Sequence, residues 1–243
     1  MTGDREAIIA PTLACANRLK LKEELDTLAN LGVTMLHLDV MDGHYVPNLC
    51  FDMDTIRQVG KNYPFSLDVH LMVSNPADYI EPLRQAGVEY VSFHLDASSY
   101  TVRLLKRIQE CGMKGGIALN PSQPVMFLQE VLSYVSYVLV MGVEPGFSGQ
   151  LFLPETARKI KELNEIRREK GLNFEIEVDG GIDDEGIRVC VGQGADILVS
   201  GAFGVFRRKK GLLADYLDCQ DIVRYAEAEK KKGETNEKNS DID

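Results

Sequence analysis

The sequence predicts a single domain, a closed (β/α)8 barrel of the TIM type, and three observations carry that prediction. The chain is 243 residues long, and one such barrel takes about 250 residues. Eight short apolar runs recur along it, and glycines punctuate it a few residues ahead of most of them. Strands alternating with helices could also form an open doubly wound sheet, but eight units at one period point to closure.

The runs are residues 8–10, 35–41, 65–71, 90–94, 116–119, 137–141, 174–179 and 196–200. The stretch between the first two carries Leu21, Leu25, Leu28 and Ala29, spaced as on a helix with one buried face. Asn75-Pro76 reads as an N-cap followed by proline at the first helical position. Pro154 opens another helix, with Ile160, Leu163 and Ile166 along one side. Gly32, Gly60, Gly87, Gly112, Gly171 and Gly194 each suit the left-handed position that ends a helix before the chain turns into a strand. They are spaced 28, 27, 25, 59 and 23 residues apart, the 59 spanning two units. The barrel is expected over residues 1–226. From 227 to 243 the composition turns charged and polar, and this segment is expected to be a disordered tail.

Composition narrows the function. A net charge of −10 argues against nucleic acid or an anionic membrane as partner. It leaves room for a small phosphorylated substrate, since backbone N–H groups can hold a phosphate. No stretch approaches the roughly 20 apolar residues of a membrane helix, and the first residues lack the layout of a secretory signal. The five cysteines, Cys15, Cys50, Cys111, Cys190 and Cys219, are scattered and form no C-x-x-C pair. Reduced thiols in a cytoplasmic protein are the expectation.

Polar residues on the wrong face locate the chemistry. In run 35–41, alternation sets Leu36, Leu38 and Val40 on one side and His37, Asp39 and Met41 on the other. The outer face of a barrel strand meets helices and should be apolar, so His37 and Asp39 point inward. Run 65–71 repeats this with Asp68 and His70, and run 174–179 with Glu175, Glu177 and Asp179. Buried charges are costly unless paired or bound to metal. His37, Asp39, His70 and Asp179 all fall near the C-terminal ends of their strands, where barrel active sites are built. Two imidazoles and two carboxylates at one point suit a divalent metal. Asp68, Glu175 and Glu177 lie deeper and read as structural.

The local motifs then become specific. HLDVMDGHYVPN at 37–48 is followed by DVHLMVSNP at 68–76, ALNP at 118–121, VMGVEPGFSGQ at 140–150 and EVDGGI at 177–182. In this order the set resembles the ribulose-phosphate 3-epimerase family, from about Ile8 to about Phe206. The resemblance implies a metal-dependent isomerase of the pentose phosphate pathway that interconverts D-ribulose 5-phosphate and D-xylulose 5-phosphate through a cis-enediolate. It implies one divalent ion per chain (Zn, Fe(II), Mn or Co) on His37, Asp39, His70 and Asp179, with Asp39 and Asp179 as the acid/base pair. Met41, Met72 and Met141 would cap the reacting centre. Gly146, Phe147, Ser148 and Gly149, with Gly180-Gly181 and Gly201-Ala202, would cradle the phosphate, and Thr12 and His70 would also meet the substrate. A homo-oligomer is expected.

Departures from the family pattern bear on substrate choice. The early P-S-x-L segment is Pro11-Thr12-Leu13, a usual Asp is Asn17, the middle glycine of GFGGQ is Ser148, and Gly201-Ala202 replaces Gly-Ser. Cys15 and the glycine-spaced loop 201–206 resemble the allulose-6-phosphate 3-epimerase branch, the alternative reading. A catalytically dead sugar-phosphate-binding protein is a remoter one, since it would be marked by a lost ligand and all four ligands are present.

Overall fold

The structure is a computed structural model describing residues 6–240, with side chains at 6–232. Eight parallel strands form the barrel: β1 (Ile8–Pro11), β2 (Met35–Met41), β3 (Ser66–Met72), β4 (Tyr90–His94), β5 (Lys114–Leu119), β6 (Tyr137–Met141), β7 (Glu175–Asp179) and β8 (Ile197–Ser200). Each lies beside its neighbours in sequence, β1 pairs with β8, and a parallel bridge between Thr12 and His37 joins β1 to β2 and closes the ring. All eight predicted runs are strands, with ends shifted by two residues at most.

Among the described residues seven α-helices surround the strands: α1 (Leu21–Asn30), α2 (Met53–Asn62), α3 (Ile80–Gln85), α4 (Thr101–Glu110), α5 (Ala157–Lys170), α6 (Asp184–Gln193) and α7 (Leu212–Ser240). Outward residues such as Leu36, Leu38, Val69, Val91 and Ile176 pack with Leu28, Ile56, Leu105 and Ile160 of the helices in one continuous apolar layer. A second, smaller cluster fills the barrel itself: Ala10, Met35, Tyr90, Ala118, Tyr137, Leu139, Met141 and Ile197. Tyr137 occupies its centre because Gly116 leaves the room; a β-carbon there would sit 2.4 Å from the tyrosine ring.

Several local expectations are corrected. Five of the six helix-ending glycines do adopt positive φ, from 62° at Gly171 to 108° at Gly194. Gly60 does not. It lies inside α2, where a β-carbon would come within 2.3 Å of the Ala86 carbonyl, so it serves close approach of α2 to the end of α3. Asn75 precedes a 3-10 turn (Pro76–Asp78) without capping it; its amide donates to Asp78 instead. Pro154 likewise opens a 3-10 turn that leads into α5. Between β5 and β6 the described residues contain only a 3-10 turn (Val125–Leu128), after Pro121 and Pro124, prolines being poor helix continuers.

α7 runs to Ser240, through most of the segment expected as a charged tail from 227. The Ala, Glu and Lys residues after 226 are strong helix formers even without an apolar face. Among the residues whose side chains are described, to 232, the last buried one is Ala226. Residues 241–243 lie outside the described residues.

Candidate active site

Parity and register bring the four inward polar residues together at the C-terminal mouth. In the β2–β3 ladder Asp39 stands opposite His70, and in the β6–β7 ladder Asp179 stands opposite Met141. One ligand atom from each of His37, Asp39, His70 and Asp179 lies within 4.8 Å of the others. Asp39 Oδ1 is 3.4 Å from both His37 Nε2 and His70 Nδ1, and Asp179 Oδ2 is 4.0 and 3.9 Å from the same two nitrogens. Those nitrogens are buried and have no hydrogen-bond partner. Two unpartnered imidazole nitrogens facing two carboxylates fit a divalent cation, which would satisfy all four at once.

The groups behind the ligands were read as structural from the sequence, and for Asp68 the structure gives a more particular role. Asp68 Oδ2 accepts from His37 Nδ1 at 2.5 Å, and its other oxygen accepts from the Tyr137 hydroxyl at 3.1 Å. With Nδ1 so engaged, His37 turns Nε2 to the centre, the usual arrangement of carboxylate, histidine and metal. Glu177 lies 3.4 Å from the same Nδ1, wholly buried. Burial, and then the charge of Asp68, pushes its carboxyl well above the usual range.

The two carboxylates assigned to acid/base work are pushed apart. Burial alone would raise Asp39, but His37 and then His70 beside it hold it well below the ordinary range. Asp179 is raised to about 6, by burial first and by the charge of Asp39 second. Environments that split a pair of carboxyls in this way distinguish an acid from a base. The Thr12 hydroxyl donates to Asp39 Oδ2 at 2.8 Å and fixes the plane of that carboxylate.

A cleft of about 560 Å³ opens over this centre. Its walls include Thr12, Asp39, Met41, Met72, Met141, Gly146, Phe147, Ser148, Gly149, Asp179, Gly180, Gly181, Gly201 and Ala202, which is every predicted substrate-side residue except His70. His70 is wholly buried and does not line the cleft. Met41, Met72 and Met141 are nearly buried around the mouth, apolar groups that exclude water without offering a proton. Gly180 and Gly181 have φ of 114° and 70°, and β-carbons there would fall 2.5 Å from Val143 and 2.3 Å from the Phe152 backbone. Only glycine meets both demands.

The sequence reading missed Cys15, Val143, Glu144, Gln150 and Phe203 in the cleft wall, since they sit on loops where parity does not apply. It also missed His94, which ends β4 facing inward, 2.8 Å from His70 Nε2. The alternation that singled out His70 would have found it.

A (β/α)8 barrel with this centre and this glycine-lined cleft defines a metal-binding barrel enzyme. The model of the "Ribulose-phosphate 3 epimerase family" matches residues 8–206. A ribulose-phosphate 3-epimerase of Treponema pallidum is 44% identical over 199 residues, covering 82% of this chain and 91% of the relative. The cytoplasmic isoform of Oryza sativa is 41% identical over 83% of this chain and 89% of its own length, and the Bacillus subtilis enzyme 37% over 84% and 95%. The chain belongs to the ribulose-phosphate 3-epimerase family. Among solved structures, KGPDC from Streptococcus mutans superposes with a TM-score of 0.68 at 12% identity, covering 91% of this chain and 99% of that one, and shares the fold.

Proposed function

We propose that the protein interconverts D-ribulose 5-phosphate and D-xylulose 5-phosphate, with Asp39 and Asp179 carrying the C3 proton on the two faces of the sugar. The observation that carries this is the pairing of Asp39 and Asp179 with His37 and His70 at one centre, beneath a cleft walled by glycine loops. His37, Asp39, His70 and Asp179 would hold one divalent ion, and Zn, Fe(II), Mn and Co all suit such mixed ligands. When bound, it supplies Lewis acidity that stabilises the negative charge developing as the proton leaves. Asp39 and Asp179 stand on opposite faces of the sugar: one removes the proton and the other returns one to the far side. The reverse reaction exchanges their roles. Met41, Met72 and Met141 keep water from the planar cis-enediolate. The loops at 146–149, 180–181 and 201–202 present backbone N–H groups to the phosphate.

Two of the family departures, Ser148 and Ala202, meet at one wall of the cleft. The Cys15 thiol lies beside the Ser148 hydroxyl and the Ala202 backbone, and a β-carbon on Gly201 would be 2.8 Å from its sulfur. Thr12, a further departure, donates to Asp39, whereas Ser148 and Ala202 contribute no acid/base group and bear on substrate length. Allulose 6-phosphate carries one more carbon between ketone and phosphate, and misplacing the reacting atom can cost on the order of 100-fold in rate. Kinetics on ribulose 5-phosphate, allulose 6-phosphate and both free sugars test the assignment. The expected order puts ribulose 5-phosphate first and the free sugars far behind. A clear preference for allulose 6-phosphate would move the chain to the sister branch. Among the described residues no helix is long and apolar enough to cross a membrane, and the five cysteines are free. A cytoplasmic homo-oligomer acting on a free sugar phosphate is part of the same proposal.

A further inference from the structure

We infer that His94 is a positioning residue: a hydrogen-bond chain of fixed polarity, running from Asp96 through Tyr45, Asn120 and His94, sets the tautomer of His70 so that Nδ1 faces the metal centre. The inference rests on the metal-site reading above and extends it to residues that touch neither metal nor substrate.

The direction of each bond follows from the end of the chain. An ionised carboxylate can only accept, so at 2.8 Å from Asp96 Oδ1 the Tyr45 hydroxyl donates. Its one proton is then committed, and its oxygen must accept from the Asn120 side chain 3.0 Å away, which presents Nδ2. That leaves Asn120 Oδ1 for its other neighbour, His94. Asn120 Oδ1 and His94 Nδ1 are both buried and neither makes a hydrogen bond in the structure; as neighbours they match as acceptor and donor, an assignment that puts the proton of His94 on Nδ1. His94 Nε2 is therefore bare, and 2.8 Å away His70 must donate from Nε2. His70 Nδ1 is left as a lone pair aimed at Asp39 and Asp179.

Reversing the chain fails at its far end. With the proton of His94 on Nε2, Asn120 would have to turn its amide, and Tyr45 would face two acceptors with one proton. Gln123 secures that end: its carbonyl accepts from the Asn120 backbone N–H, so its amide donates to the other oxygen of Asp96. The Tyr45 ring stacks on His94 with centroids 4.7 Å apart and holds the imidazole plane. His37 is oriented by Asp68 through Nδ1 and offers Nε2, whereas His70 is oriented through Nε2 and offers Nδ1.

Zn2+ binding and imidazole carbon shifts test this. In the Zn2+-loaded protein, the His70 ring should show ligation through Nδ1. His94→Ala should weaken Zn2+ binding about 10- to 100-fold in competition with a chelator, the effect typical of losing a ligand's outer partner. His94→Gln, whose amide oxygen can accept, should restore most of the loss. Tyr45→Phe keeps the ring but frees Asn120 to turn, and should weaken binding by about threefold or more and show a second His70 tautomer in the metal-free protein. A purely structural role would lower thermal stability without changing the tautomer. Ligation through Nε2 in the wild type, or Zn2+ affinity within twofold of wild type for His94→Ala or Tyr45→Phe, overturns the inference. Should His94→Ala not fold, the wild-type spectrum and Tyr45→Phe decide. Wild-type protein that binds no Zn2+ overturns the metal reading itself, whereas binding insensitive to this chain overturns only the inference.

Discussion

Replacing Asp68 tests whether the inside of the barrel is organised around the metal centre or merely filled. Asp68 makes a 2.5 Å bond to His37 and accepts from Tyr137 in a wholly buried site. Asp68→Asn keeps an acceptor for His37 but removes the charge. Hydrogen bonds to charged groups contribute about 1.5–3 kcal/mol and neutral ones about 0.5–1.5, so the loss is about 1–1.5 kcal/mol, roughly tenfold in metal affinity. Asp68→Leu leaves His37 Nδ1 with only the Glu177 carboxyl, 3.4 Å away, so part of the about 1–3 kcal/mol cost of an unpaired buried group adds to the lost bond, up to the order of 100-fold. Chelator competition at neutral pH should therefore rank wild type above Asn and Asn above Leu, while urea unfolding of the metal-free proteins records the stability change separately. Equal metal affinity in all three proteins would refute the idea that Asp68 orients His37 for a cation.

Further outcomes follow from other parts of the fold. Gly181→Ala should destabilise the protein by more than about 2 kcal/mol, combining left-handed strain of about 1–2 kcal/mol with a contact 2.3 Å from the Phe152 backbone; Gly149→Ala, strained but with open space around it, should cost less, and equal urea midpoints for the two would contradict this. Truncation after Glu227 keeps Ala226, the last buried residue among those whose side chains are described, so Tm should move by about 2 °C or less; loss of the fold would show that the end of α7 docks. Asp42 ties the loop after β2 to Ser74, accepting from the backbone N–H groups of His44, Tyr45 and Ser74. Slight burial works against its charge, but these donors lower its pKa to about 2. Its contribution should be full above about pH 4, the unfolded value, and fade as pH falls toward 2. The urea-midpoint gap between wild type and Asp42→Asn should shrink over that window, and a pH-independent gap would refute it.

What could be read in the sequence, and what could not, divides along physical lines. Strand positions and the four ligands were legible because barrel strands alternate strictly, so His37, Asp39, His70 and Asp179 stood out as polar residues on the apolar-filled side. Gly60 was misread because helix crowding and helix termination both select glycine, and only the nearby Ala86 carbonyl distinguishes them. The extent of α7 was missed because a helix without an apolar face looks like a charged tail, although its residues favour helix. The direction in which His37 and His70 present their nitrogens depends on Asp68 and His94, which are 31 and 24 residues away in sequence. No local pattern encodes such a pairing.

The central claim is that Asp39 and Asp179 serve opposite faces of one substrate carbon. Following the C3 hydrogen of ribulose 5-phosphate in deuterated water tests it most directly. Wild-type enzyme should place solvent deuterium at C3 of both epimers. Asp39→Asn and Asp179→Asn should each abolish interconversion, and a variant that keeps metal should retain at most exchange within a single epimer. Interconversion at near-normal rates in either variant, or xylulose 5-phosphate formed by the wild type with its original C3 hydrogen retained, would contradict the two-carboxylate account.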